Sequence, residues 1–335
     1  MAKIFLTHIP EMLENYYGPR AVAALREMAE VVINPTGRVL DADGLAAEAK
    51  GCDIIISDRQ TPGPREFLDK AGDAVAFLRC AVDIRNIDVE AASRNGILVT
   101  RATPGFDASV AELAVGMMVD LARHVTASVI EYRGGAEASA PMGRQLKGAT
   151  LGIIGYGVIG EYLARLGLAL GMNVAVHDPY KSIADEGVRQ SSFEDVLASS
   201  DFVTCLAVAT AETENLMDKR AFARMKPGAF FLNLSRGNLV DEEALEEVLD
   251  EKRIAGVAMD VGRAPDQKPS LRLARRADVI ATPHIAGLTP SAIEHQAFDT
   301  VEQARALIAG KVPPGAINAE KATRLSRLGT DRLGP

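Results

Sequence analysis

LGIIGYGVIGEYLARLGLALGMNVAVHDPY, residues 151–180, decides the fold. The apolar run 151–154 has the length and composition of a buried parallel strand. Gly155, Gly157 and Gly160 follow in the spacing G-x-G-x-x-G. Leu163, Leu166 and Leu170 then recur on one helical face, and Gly171 closes the helix. A second apolar run, 174–176, leads to Asp178, about 20 residues past the glycines. Strand, turn, helix, strand and terminal acid together make a dinucleotide-binding βαβ unit. Gly155 permits the tight turn. Gly157 lets the backbone approach a pyrophosphate, which sits on the N–H groups of the helix start around Val158 and Ile159. Gly160 lets helix and strand pack closely. Asp178 can accept hydrogen bonds from a ribose 2′-OH and would repel a 2′-phosphate, so NAD is expected over NADP. Lys181, three residues on, leaves some use of NADP open.

The rest of the composition narrows the field. A chain of 335 residues is long for one core, so two domains are expected. Trp is absent and aromatics make up only 5%, which leaves little to stack on bases or sugars. The formal net charge is -8 and no basic block interrupts the body, which argues against nucleic acid as a partner. No apolar run approaches the length of a membrane helix, and MAKIFLTHIP lacks the apolar core of a secretory signal. Cys52, Cys80 and Cys205 are scattered, with neither disulfide nor metal spacing, so a reducing cytoplasm is expected. His8, His124, His177 and His295 lack metal-ligand spacing too, and no metal is expected. The mildly basic stretch 321–332 reads as a frayed tail.

Apolar β-like runs at 3–7, 31–34, 53–57, 76–80 and 97–100 alternate with helical patterns at 11–30, 41–49 and 65–71. A long apolar helix at 107–123, N-capped by Asp107, precedes a loop at 134–143. After the glycine motif, further runs at 202–207, 229–234, 256–260 and 279–281 continue the β/α series, and a last helix covers 290–310. The helix at 241–250 is acidic on one side, as a solvated face would be. The expected class is α/β, with two Rossmann-like, doubly wound parallel-sheet domains. Ligands of such sheets bind beyond the carboxyl ends of the strands, so a cleft between the domains is the expected place for chemistry.

Three runs carry a more specific likeness: FLNLSRGNLVDEEAL (231–245), GVAMDV (256–261) and ATPHIAGLT (281–289). Together they resemble the D-2-hydroxyacid dehydrogenase family. Residues 94–123 resemble that family's hinge and interdomain helix, and LRCAVDIRNID (78–88) resembles its substrate loop. The likeness covers almost the whole chain in order. It implies an NAD-binding domain at 101–287, inserted into a discontinuous, flavodoxin-like substrate-binding domain at 1–100 and 288–335. It also implies a homodimer, with the helix near 109–123 and the following loop in the interface, and a small 2-hydroxy or 2-oxo acid as substrate. A second reading is an NAD(H)-sensing protein of the corepressor type that shares this fold.

Arg236 follows an apolar strand and could grip a substrate carboxylate and its neighbouring carbonyl; the plainer role is a surface bridge to Asp241. His284, at another strand end, could pass a proton to and from the carbonyl oxygen. The resemblance places Ala207, Val208, Leu234, Ser235, Asp260 and Ala286 beside the cofactor. Asp260 would lie near the nicotinamide carboxamide, or else be a cap or loop acid.

Two departures stand out. The family's DVFxxEP motif pairs a Glu with the catalytic His. Here DVGRAPDQKPS places Ala264 or Pro265 at that position, and Asp266 is the expected substitute. In the substrate loop, Val82 and Asp83 stand where the family often reads G-x-G-x-D-N-I-D. Arg59, Arg79, Arg85 and Arg101 lie in segments that the family directs toward substrate. They either bind a second anionic group on it or pair with Asp58, Asp83 or Asp88.

Overall fold

In the first unit, short runs of Ile, Val, Phe and Leu form β1 (Lys3–Leu6), β2 (Glu30–Ile33), β3 (Ile54–Ser57), β4 (Ala76–Arg79) and β5 (Leu98–Arg101). They pair only in parallel, in the order β2-β1-β3-β4-β5, that of flavodoxin-like sheets. The structure is a computed structural model that describes residues 1–328; the side chain of Asp266 lies outside the described residues. Because side chains alternate along a strand, each strand feeds two cores. Ile4, Leu6, Ile54, Ile56 and Leu78 pack on one side with Ala297, Val301 and Leu307 of the helix Pro290–Ile308. Phe5, Ile55 and Phe77 pack on the other with Leu45, Phe67 and Ala91.

This unit comprises residues 1–105 and the chain from Pro290 onward; the second unit is Phe106–Thr289. Residues just after β5 are tied to the first unit. Ala102 N–H donates to Arg79 O at 3.0 Å, and Thr103 N–H donates to the Asp299 carboxylate at 2.5 Å.

Three local expectations need correction. The pattern at 11–30 is two helices, Pro10–Tyr16 and Pro19–Arg26, because Gly18 takes φ 87° and Pro19 starts a new helix. Asp107 does not cap its helix: Phe106 precedes the first turn, with no side-chain cap. Residues 321–328 are not frayed, since Arg324 donates to the carbonyls of Ala71 and Ala74 and Leu328 is buried; residues 329–332 lie outside the described residues.

His8, just past β1, is fully buried, and neither ring nitrogen has a hydrogen-bond partner among the described residues. Burial pushes its pKa down to about 4, against the opposing pull of the Asp58 charge. The unfolded chain therefore binds a proton at His8 that the native state refuses between pH 6.5 and 4. Stability at this position is full above pH 6.5 and lost as pH falls through that window. Urea unfolding should show about 2 kcal/mol less stability at pH 5 than at pH 7.5 from this group, and His8→Gln should flatten that slope.

The second unit holds β6 (Thr150–Ile154), β7 (Asn173–His177), β8 (Val188–Gln190), β9 (Phe202–Cys205), β10 (Phe230–Asn233), β11 (Gly256–Met259) and β12 (Val279–Ala281). All pair in parallel in the order β12-β11-β10-β9-β6-β7-β8, so the order reverses between β6 and β9. The helix Asp107–Arg123 packs Val110, Ala114, Met118 and Leu121 on this sheet. His124, with φ 56°, ends it, and a helix not foreseen from the sequence, Val125–Arg133, leaves at 67°. Among the described residues, no single helix is long and apolar enough to cross a membrane.

Candidate active site

The three glycines each have a distinct constraint. Gly155 sits at φ 96°, and a Cβ there would meet the backbone N of Ala207 at 2.6 Å, across the point where strand order reverses. A Cβ on Gly160 would strike the Gly155 carbonyl oxygen. Gly157 is different: a Cβ there would meet nothing within 4 Å. It is the N-cap residue of the helix Val158–Ala169 and supplies no side-chain cap, so the first-turn amides are left for another acceptor. Val158, 47% exposed, flanks this opening. An open backbone cradle at a helix start, at the crossover of a parallel sheet, fits a dinucleotide pyrophosphate.

Asp178 ends β7. Its carboxylate accepts Tyr156 N–H at 2.8 Å and Tyr180 N–H at 2.9 Å, one on each oxygen, which leaves lone pairs for a ribose. Partial burial works to raise its pKa, but the N–H groups of Tyr156, Tyr180 and Lys181 outweigh that and hold the carboxyl below its usual range. Ser235 O–H donates to the Ala207 carbonyl at 2.6 Å, joining two of the expected cofactor-side residues, while Leu234 is buried beneath them.

Neighbouring strands then place three of the candidate site residues. In the register Asn233↔Met259↔Ala281, the carboxyl ends of β10, β11 and β12 lie side by side. Arg236, Asp260 and His284 follow those strands at one edge of the sheet. Arg236 is half-buried and one guanidinium N–H donates to Ser235 O at 2.7 Å. The Asp241 carboxylate caps the helix Glu242–Asp250, accepting the N–H groups of Glu243 and Ala244. The loop at Gly237 presses on the loop at Gly262: a Cβ on Gly237 would meet Arg263 N at 2.7 Å, so only glycine fits at 237.

Asp260, expected beside the cofactor or else as a cap or loop acid, holds a loop. One carboxylate oxygen accepts Thr282 O–H at 2.6 Å and Ile285 N–H at 2.8 Å; the other accepts Ala286 N–H at 2.8 Å. This buried acid clamps the loop that carries His284, whose backbone is held at φ 61°. Thr282 was not singled out beforehand, because nothing in ATPHIAGLT separates a clamping hydroxyl from a loop threonine.

The arginines of the first unit divide. Arg79 is a correction: it is 3% exposed and donates to the backbone carbonyls of Asp58, Arg59 at 2.8 Å, Thr61 at 3.0 Å and Asp83 at 3.1 Å. Its guanidinium ties two loops together rather than facing a ligand. Arg85 pairs with Asp83 at 2.6 Å, and Arg65 with Asp88 at 3.2 Å. Arg59 and Arg101 are exposed, with no ion pair among the described residues. Asp266 cannot be placed, since its side chain lies outside the described residues.

A family model described as D-isomer specific 2-hydroxyacid dehydrogenase, NAD binding domain, matches residues 115–286. The chain belongs to this family. It is 32% identical over 272 residues to a hydroxypyruvate reductase of Thermotoga maritima, covering 80% of this chain and 89% of the relative. It is 32% identical over 313 residues to a D-3-phosphoglycerate dehydrogenase of Mycobacterium tuberculosis, covering 92% of this chain. The chain spans only 58% of the length of that relative. The apo-structure of a D-lactate dehydrogenase from Escherichia coli superposes with a TM-score of 0.81 at 26% identity, covering 95% of this chain and all of the other.

In this family member, the glycine geometry separates fold from cofactor binding. Gly155→Ala should destabilise the protein by about 2–4 kcal/mol, through a strained φ and a backbone collision. Gly157→Ala has space in the fold and should unfold near wild type, yet weaken NADH binding by on the order of tenfold, since the methyl group enters the pyrophosphate's approach. Thermal melts with NADH titrations would check both.

Proposed function

We propose that this protein is an NAD-dependent oxidoreductase that interconverts a 2-hydroxy acid and its 2-oxo acid. The observation that carries the reading is the placing of Arg236 and His284 after β10 and β12, the two strands that flank β11, with Asp260 at the end of β11 clamping the His284 loop. NAD, when bound, supplies or accepts the hydride. Arg236 binds the carboxylate and polarises the C2 carbonyl. An imidazole nitrogen of His284 gives a proton to the carbonyl oxygen in reduction and takes it back in oxidation. Asp266 is the proposed carboxylate partner of this histidine; Asp266→Asn should move the pH–rate profile, and an unmoved profile removes it from the mechanism.

From the first unit, Arg59 and Arg101 are assigned to a second anionic group on the substrate, such as a phosphate, sulfonate or second carboxylate. The backbone at Val82 and Asp83 is assigned to its C1 carboxylate. The relatives' names, phosphoglycerate dehydrogenase and hydroxypyruvate reductase, support both the reaction class and short, oxygen-rich acids. The test is NADH oxidation against glyoxylate, hydroxypyruvate, pyruvate, phosphonooxypyruvate, sulfopyruvate and oxaloacetate. Dianions should give the highest kcat/KM; monoanions ahead of every dianion would remove the role of Arg59 and Arg101, and NADH binding with no turnover would remove the enzymatic reading.

We further assign a homodimer to the face that carries exposed Val125, Val129, Ile130, Tyr132 and Met142. That much apolar surface on one helix and the loop after it is the composition of a covered interface. A cytoplasmic location is in keeping with three buried free cysteines.

A further inference from the structure

The residue that decides between the two nicotinamide cofactors is not only Asp178. Lys181 lies on the loop that leaves β7, where a basic side chain ordinarily accommodates a 2′-phosphate. Its ammonium is engaged elsewhere: Nζ sits 2.6 Å from a Glu161 carboxylate oxygen and 5.9 Å from the centre of the Tyr156 ring. Glu161 stands in the first turn of the helix Val158–Ala169, directly after Gly160. Tyr156, between the first two glycines, is held in turn by its O–H to Asp185 at 2.7 Å and its N–H to Asp178 at 2.8 Å.

The loop's backbone is also fixed. The Gln190 side chain donates to Lys181 O at 2.7 Å and accepts Ile183 N–H at 3.0 Å. Only the lysine side chain is left to choose its partner. With Glu161 present, the lysine is drawn toward the helix.

We infer that Glu161 is a specificity-determining residue that holds Lys181 away from the ribose 2′ position and so sets the preference for NAD over NADP. The inference rests on NAD binding at the glycine turn.

The test is direct titration of NADH and NADPH by nucleotide fluorescence at low salt, on wild type, Glu161→Gln and Glu161→Gln/Lys181→Ala. Both Lys181 and Glu161 are nearly half exposed, so the substitutions need not disturb folding. Glu161→Gln should improve the NADPH-to-NADH affinity ratio by about fivefold, in the range expected for an exposed ion pair, and the gain should shrink in high salt. The double variant should lose that gain. A ratio within twofold of wild type in Glu161→Gln overturns the inference, as does a gain that survives in the double variant. Failure of wild type to bind either nucleotide would overturn both the inference and the NAD reading beneath it, whereas NADH binding with an unmoved ratio overturns only the inference.

Discussion

His284→Asn is expected to lower kcat by on the order of 10²–10⁴ while NADH still binds, since a positioned general acid–base contributes about that much. Asparagine is the informative replacement. The backbone at His284 lies at φ 61°, a region that asparagine tolerates better than most residues. The loop can then keep its clamp from Thr282, Ile285 and Ala286 to Asp260. A loss of turnover would thus report missing chemistry rather than a collapsed loop. Single-turnover reduction with saturating NADH separates the chemical step from cofactor binding, and retention of more than a tenth of wild-type kcat would remove His284 from the proton path.

Arg79→Met is expected to cost about 3–5 kcal/mol of stability, because it strands four backbone carbonyls inside the first unit. Those carbonyls belong to Asp58, Arg59, Thr61 and Asp83, on the loops after β3 and β4. The family likeness leads to a different result, in which loss of this arginine raises KM and leaves the fold intact. Urea unfolding beside steady-state kinetics separates the two: a large fall in the unfolding midpoint supports the loop tie, and an unchanged midpoint with a raised KM restores the arginine to the substrate.

The sequence by itself determined the architecture and the glycine turn at the start of the second unit's sheet. Parallel strands buried on both faces must be apolar throughout, and β3, β6 and β10 read that way directly. The glycine spacing is legible because each position answers to local geometry: Gly155 needs positive φ, Gly160 needs room for a carbonyl, and Gly157 needs an open face. The positions of Arg236 and His284, just after apolar runs, follow from the same strand logic.

Tertiary structure alone decided what each charged side chain faces. Arg59, Arg79, Arg85 and Arg101 are equivalent in a sequence. In the fold, Arg79 is buried among carbonyls, Arg85 is paired with Asp83, and Arg59 and Arg101 remain exposed. Asp260 reads in the sequence as either a cofactor acid or a cap or loop acid, and only the fold brings Thr282 and the 285–286 backbone to it from a neighbouring strand. Glu161 and Lys181 are 20 residues apart, and only the close packing of helix on sheet around Gly160 makes them partners. A strand's burial is set by its own residues, whereas a side chain's electrostatic partner is set by whichever element packs beside it.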